Sequence, residues 1–296
     1  MENSTAAMPL SIASKIRQFV VMLKVRLSLL VVFSGAFGFA LATPAVLTVD
    51  YYTLFWLCLG SFMITGSANI INQIIEKDYD KLMKRTALRP LPTGLLSVQE
   101  ASIFSAFFGI VGTSLLYFLV NPISAALSVF SLVLYAFIYT PLKRISPICV
   151  LVGAFPGALP PLIGWAAMTG TVTIEALVIF AIQFIWQFPH FWAIAWVAHE
   201  DYTHAGFKML PGEKNINTAF QIMIYTLFLI PLGLLPSQFG ISGFASAIIA
   251  TCLALLFLAQ TFYLMRTGTN KAALMIMFGS FIYLPVVQIA YLLDKV

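Results

Sequence analysis

Charge is what this 296-residue chain has least of: 9% of its positions are Asp, Glu, Lys or Arg, against 60% that are hydrophobic. Its mean hydropathy is +0.95. That balance excludes an ordinary soluble domain and marks an integral membrane protein. Cysteine is almost as scarce. Cys58, Cys149 and Cys252 lie far apart inside apolar runs, which excludes a disulfide framework or a cysteine metal site and leaves small core residues. No small-residue cleavage site follows Lys15 and Arg17, so residues 1–19 read as a short tail rather than a signal peptide. There is no clear internal repeat.

Apolar runs of spanning length fall at 23–43, 51–75, 97–119, 122–140, 146–168, 174–198, 217–236, 241–265 and 272–293. They predict an all-α bundle of nine membrane helices forming one domain, residues 1–296. Charge placement checks the count. The tail and the loops after helices 2, 4, 6 and 8 carry every basic residue except Lys295. By the positive-inside rule that face is cytoplasmic, in an inner cell membrane. The formal net charge of +5 is thereby a matter of topology and gives no reason to expect nucleic acid.

The scarce charges are concentrated where they can do chemistry. In NIINQIIEKDYDKLMKRTALRPLPTG, residues 69–94, Asn72, Glu76 and Asp80 recur at every fourth position, a column about 12 Å long on one helix face. Thr65 and Asn69 extend it into the apolar run, where polar groups are costly and usually functional. Lys77, Lys81, Lys84, Arg85 and Arg89 lie within thirteen positions of Glu76. Carboxylates beside cations suit a magnesium-bound diphosphate, since Mg²⁺ takes oxygen ligands and shares them between carboxylates and phosphates. Asp78 sits about 200° round from Glu76; either the helix unwinds there or Asp78 faces a different neighbour, which makes it the weakest metal ligand of the three acids. Pro90, Pro92 and Gly94 then predict a shaped loop.

Other segments return to the same face. Lys24 and Arg26 open helix 1, where they could hold diphosphate or snorkel to headgroups. Tyr139, Lys143 and Arg144 end helix 4, as a positive-inside anchor or as ligands of the outer phosphate. Helix 5, GAFPGALPPLIGW, has the irregular composition of a cavity wall. Helices 7 to 9 are nearly pure apolar segments, in which Tyr225, Tyr263, Tyr283 and Gln288 stand out.

Helix 6 and the loop after it hold all three histidines, His190, His199 and His204. On a continuous helix Gln183, Gln187, His190 and Asp201 fall within about 60° of one another, with Pro189 introducing a kink. Trp186, Phe188, Phe191, Trp192 and Trp196 surround them, and one or two facing a cavity could stabilise a carbocation. His190 reads as a core histidine or, beside two glutamines inside a membrane helix, as a ligand-binding or proton-transfer group. His199 and His204 read as solvated loop residues. Glu200 and Asp201 are candidates for a second magnesium site facing Glu76 and Asp80.

The run from Asn72 through Asp80 into KRTALRPLPTG resembles the first motif of the UbiA superfamily of intramembrane prenyltransferases. PGALPPLIGW at 156–165, WQFPHFWAIAW at 186–196 and the following EDY, AG and MLP resemble its haem-farnesylating branch, over most of the chain. The resemblance implies transfer of farnesyl from farnesyl diphosphate to the 2-vinyl group of haem b, with addition of water, giving haem O. It implies Mg²⁺ as cofactor, with Asn72, Glu76 and Asp80 holding metal and diphosphate and Asp201 supplying the second acidic site. Arg85, Arg89, Lys143 and Arg144 would neutralise the departing diphosphate, and His190 would contact haem. A haem A synthase or a terminal oxidase assembly would be its neighbour. Three positions depart from the superfamily pattern: Glu76 replaces an aspartate, Val197 stands where a second aspartate is frequent, and Lys24-Val25-Arg26 replaces Lys-Pro-Arg. Two rivals remain at this stage. One is a prenyltransferase for an aromatic quinone precursor, separable by acceptor choice; the other is an ion-coupled transporter, whose carboxylates would belong at midplane rather than among basic residues at a mouth.

Overall fold

The computed structural model describes residues 11–44 and 49–296. Among them, nine helices are long and apolar enough to cross a membrane. We number the helices α1 (Ile12–Met22), α2 (Val25–Ala42), α3 (Tyr51–Asp80), α4 (Val98–Leu119), α5 (Pro122–Leu142), α6 (Cys149–Thr169), α7 (Ile174–Val197), α8 (His199–His204), α9 (Ile216–Gln238), α10 (Phe244–Thr267) and α11 (Asn270–Leu293). Local chemistry sets the ends. Asp50 caps α3 by accepting from the Tyr52 and Thr53 amides. Ser97 and Glu100 form a capping box at α4, and Asn121 caps α5 with Pro122 at its first position. Gly170 and Gly268, at φ 72° and 61°, close α6 and α10 in the left-handed region.

Two elements extend outside the predicted apolar runs. The tail predicted for residues 1–19 is helical from Ile12, with Ser11 capping α1 by accepting from the Ser14 amide. Phe19 packs on Phe104 with ring centroids 4.5 Å apart, and Lys15 pairs with Glu100 at 2.6 Å. An 11-residue amphipathic helix is invisible to a search for spanning runs. The second is α3, whose apolar run ends at residue 75 but which stays helical to Asp80, as the column of Asn72, Glu76 and Asp80 requires. Its last turn is polar because it belongs to the site rather than to lipid.

The centre of the bundle is α6, the most deeply buried of the spans. Despite Pro156, Pro160 and Pro161 it remains helical throughout. Pro161 has no amide proton for the Gly157 carbonyl, and the Gln183 side chain of α7 donates to that carbonyl instead, at 2.8 Å. Against α2 the contact is backbone on backbone. A Cβ at Gly164 would lie 1.8 Å from the Gly35 oxygen, and one at Gly38 would lie 2.0 Å from the Pro161 oxygen. Small residues at a membrane helix crossing permit this approach. Deep in the bundle, Ser34 Oγ and Gln288 Nε2 both donate to the side-chain Oε1 of Gln183 at 2.9 Å, and Gln288 also donates to Ser34 Oγ at 3.0 Å.

Candidate active site

Helix α3 buries the Asn72, Glu76 and Asp80 column, and each member has a partner from another segment. Asn72 Nδ2 donates to Thr140 Oγ1 at 3.1 Å. Lys143 Nζ donates to Glu76 Oε1 at 2.6 Å. Arg89 Nη1 donates to both Asp80 oxygens, at 2.9 and 2.7 Å. The Asp80 side chain is 0% exposed and that of Glu76 6%, so both charges require the cations that face them.

The partners are held by local devices. Pro141 interrupts the end of α5, and residues Leu134–Tyr139 take a π-helical turn there. The Thr140 hydroxyl donates to the Tyr135 carbonyl at 2.8 Å while accepting from Asn72. This places Lys143 between the column and the ring of Tyr139, 4.7 Å from its centroid. Burial works against the Lys143 charge, but Glu76 and the neighbouring tyrosines outweigh it and raise its pKa above the ordinary lysine value. The loop after α3 is shaped, as the prolines predicted. Thr86 Oγ1 donates to the Asp80 carbonyl at 2.8 Å, Met83, Leu91 and Leu96 are buried, and Gly94 turns at φ 73°. Arg89 is thereby folded back over the end of α3.

Lys24 enters from the break between α1 and α2. Part of its side chain reaches the surface, yet burial and then the Arg89 and Lys143 charges push its pKa down to about 7, with Glu76 and Asp80 opposing. The remaining cations are fixed by aromatic rings. Arg144 lies 4.0 Å from the Tyr79 ring centroid and bonds the Tyr79 hydroxyl. Arg85 lies 4.6 Å from the Tyr202 centroid. Arg26 is exposed and makes no ion pair among the described residues.

The two acidic segments share one face of the bundle. The Arg85–Tyr202 contact joins α8 to the loop after α3, and His204 Nδ1 lies 3.0 Å from the Leu82 carbonyl. Their acids are nonetheless not one cluster. No three His, Cys, Asp or Glu groups gather closely enough to hold a metal ion among the described residues. Glu200 is exposed and Asp201 only half-buried. Asp78 is turned away, 62% exposed and paired with Lys81 at 3.0 Å, so of the two alternatives the different neighbour is correct. Buried oxygen donors at Asn72, Glu76 and Asp80 are the right chemistry for Mg²⁺, provided a diphosphate and water complete its shell.

The column predicted along helix 6 is broken. The helix ends at Val197 and Asp201 sits on the separate α8, so the wheel that aligned Asp201 with His190 does not apply. Gln183 belongs to the buried amide network. Gln187 lies against α6, its amide 2.7 Å from where a Gly157 Cβ would be. His190 faces α11, with Nδ1 2.8 Å from Ser280 Oγ. Ser280 spends its own proton on the Met277 carbonyl at 2.6 Å, so its oxygen accepts from Nδ1–H and the lone pair is left on Nε2. The ring stacks on Trp186 at 4.5 Å and meets Phe281 edge-on at 5.1 Å. Phe188 and Trp192 pack against Tyr225, at 4.4 and 5.0 Å.

Asn69 leaves the column to bond the α1–α2 break, and Thr65 lines a cavity of about 30 Å³ with Ser61, Ser128 and Ser131. A second cavity, of about 10 Å³, adjoins Gln183 and Gln288. Small-molecule sites usually enclose roughly 300–1,000 Å³, so neither of these two cavities is of substrate size. Thr140 and Ser280 were not foreseen as partners. A threonine before proline at a helix end was the one available signal for the first; nothing local marks the second.

A buried layer of paired charges at one end of a helical bundle, with nine spans among the described residues, has relatives. The chain belongs to the UbiA prenyltransferase family, whose model matches residues 31–282. The fold agrees: a solved digeranylgeranylglyceryl phosphate synthase superposes with a TM-score of 0.80 at 18% identity, over 95% of this chain and 98% of that one. A UbiA homologue from Archaeoglobus fulgidus bound to GPP and Mg²⁺ superposes with a TM-score of 0.67 at 16% identity, over 93% and 99%. More specifically, the protoheme IX farnesyltransferase of Cytophaga hutchinsonii is 54% identical over 286 residues, 96% of this chain and 99% of that protein.

Proposed function

We propose that this chain transfers a farnesyl group from farnesyl diphosphate to the 2-vinyl group of haem b and adds water, producing haem O. The observation that carries the reading is the buried layer in which Glu76 faces Lys143 and Asp80 faces Arg89. The relatives' activity supports the choice of acceptor. Mg²⁺ held by Asn72, Glu76 and Asp80 would neutralise charge on the diphosphate. Lys143, Arg89 and Lys24 stabilise the charge that develops as the allylic C–O bond breaks and its electron pair leaves with diphosphate. Arg144 and Arg85 guard the rim, and Asp201 on α8 supports the same face.

The bundle excludes water while the farnesyl C1 bonds to the terminal vinyl carbon. Water then captures the cation left beside the porphyrin ring and releases a proton. His190 presents Nε2 toward haem, as an iron ligand or a close contact. The basic face is cytoplasmic by the charge rule, and product remains in the bilayer for a haem A synthase or oxidase assembly.

The decisive experiment incubates purified protein in nanodiscs with haem b, farnesyl diphosphate and Mg²⁺ and reads the product mass. A haem product heavier by a farnesyl group plus a hydroxyl group is expected. Prenylation of 4-hydroxybenzoate in place of haem would assign the chain to the aromatic branch instead.

A further inference from the structure

The break between α1 and α2 contains the one non-glycine residue with positive φ among the described residues, Lys24 at φ 48°. A lysine has no intrinsic preference for this region, which glycine and asparagine occupy far more readily. The surrounding structure must therefore impose it. What imposes it is a set of buried side chains placed on the carbonyls that the break leaves without helical partners. Gln73 Nε2 donates to the Met22 carbonyl at 2.8 Å. Asn69 Nδ2 donates to the Leu23 carbonyl at 3.3 Å and to Ser28 Oγ at 3.2 Å. Ser28 Oγ in turn donates to the Leu23 carbonyl at 2.7 Å. Gln73 is tied back to its own helix through the Asn69 carbonyl at 3.0 Å. Ser28, Asn69 and Gln73 are all at least 98% buried.

The consequence of the elbow is where it sends one ammonium. The clamp fixes the elbow against α3 at the level of Asn69 and Gln73, Gln73 lying within one turn of Glu76 in the buried layer, and the charges of Arg89, Lys143, Glu76 and Asp80 reach Lys24 there. Asn69 and Gln73 stand on the same helix as that layer, Asn69 less than one turn before Asn72 and Gln73 directly after it, so a single rigid element carries both the carboxylates and the clamp.

We propose that Asn69 and Gln73 are positioning residues: they grip the α1–α2 elbow by its carbonyls and hold Lys24 in the left-handed conformation that aims its ammonium at the diphosphate. This rests on the prenyl diphosphate reading above. Arg89 and Lys143 are committed to carboxylates in the substrate-free protein. Lys24, with neither a hydrogen bond nor an ion pair to a carboxylate among the described residues, is the basic side chain of this layer left to meet the incoming phosphate.

The test is a double-mutant cycle read by calorimetric binding of inorganic pyrophosphate with Mg²⁺ to full-length protein in nanodiscs. Lys24→Met is expected to weaken binding about tenfold and Gln73→Met, which keeps length and removes the donor, by a similar factor. The double variant is expected to bind no more weakly than Lys24→Met alone. In turnover, Gln73→Met raises KM for farnesyl diphosphate and leaves KM for haem unchanged. Multiplicative losses in the double variant overturn the proposal, as does a lowered thermal midpoint with pyrophosphate binding intact. If Gln73→Met does not fold, Asn69→Leu goes through the same cycle. Wild-type protein that binds no Mg-pyrophosphate removes the diphosphate reading itself, an outcome distinct from failure of the clamp.

Discussion

At the scale of single residues, the site is built from charges that have already found partners. Asp80 accepts two hydrogen bonds from Arg89, so Asp80→Asn removes a proposed metal ligand and also leaves the guanidinium with a weaker acceptor. Activity should fall by about 10²–10³-fold, with a stability loss of about 1–3 kcal/mol. Combining it with Arg89→Gln should restore much of the thermal midpoint and none of the haem O. Activity in Asp80→Asn at wild-type level would take this carboxylate out of the mechanism.

Lys24 makes a pH prediction with a definite sign. Its folded pKa of about 7 lies below the ordinary 10.5, so between those values the unfolded chain binds more protons and stability rises with pH. Below about pH 7 both states are protonated and the destabilisation is complete. The thermal midpoint of the substrate-free protein should therefore climb from pH 7 to 9, and Lys24→Met should flatten the climb. At pH 8, binding of Mg-pyrophosphate should take up a proton, measurable as a buffer-dependent heat. His190 gives a spectroscopic prediction: His190→Ala should abolish the haem Soret shift on binding. Ser280→Ala, which frees Nδ1, should weaken the shift without erasing it, and an unchanged spectrum in His190→Ala would exclude contact with haem.

At the scale of elements, the spans were legible because a membrane helix is specified by its own composition. Every observed span boundary falls within five residues of its predicted run. The i, i+4, i+8 column survived for the same reason, since Asn72, Glu76 and Asp80 sit on one uninterrupted helix. What failed was continuity across a helix end: Asp201 was aligned with His190 as if α7 did not stop at Val197. What could not be read at all were pairings across the chain, such as His190 with Ser280, 90 positions apart, and the left-handed Lys24, for which local propensity argues the reverse. The α2–α6 crossing belongs to this scale too. Gly164→Ala drives a methyl into the Gly35 carbonyl, and because backbone cannot step aside as a side chain can, a loss of about 1–3 kcal/mol is expected in thermal unfolding.

At the scale of the molecule, the charge pattern puts every basic residue except Lys295 on one face, and the topology can be checked directly. Cysteines introduced at Lys84 and at Ser237 in a background lacking Cys58, Cys149 and Cys252 should label from opposite sides of sealed vesicles, Lys84→Cys from the cytoplasmic one. Labelling of both from the same side would contradict the bundle. Haem and farnesyl diphosphate both exceed the two cavities of about 10 and 30 Å³, so neither cavity receives a substrate unless the helices around it part.

The glycine crossing decides where they do not part. With no side chains between them to reshuffle, α2 and α6 behave as a doorpost. Near the same depth α11 is tied to α2 by a side-chain hydrogen bond, Gln288 to Ser34, rather than by backbone contact, so the rigid side of the frame around the charged threshold on α3 is the one that α2 and α6 build.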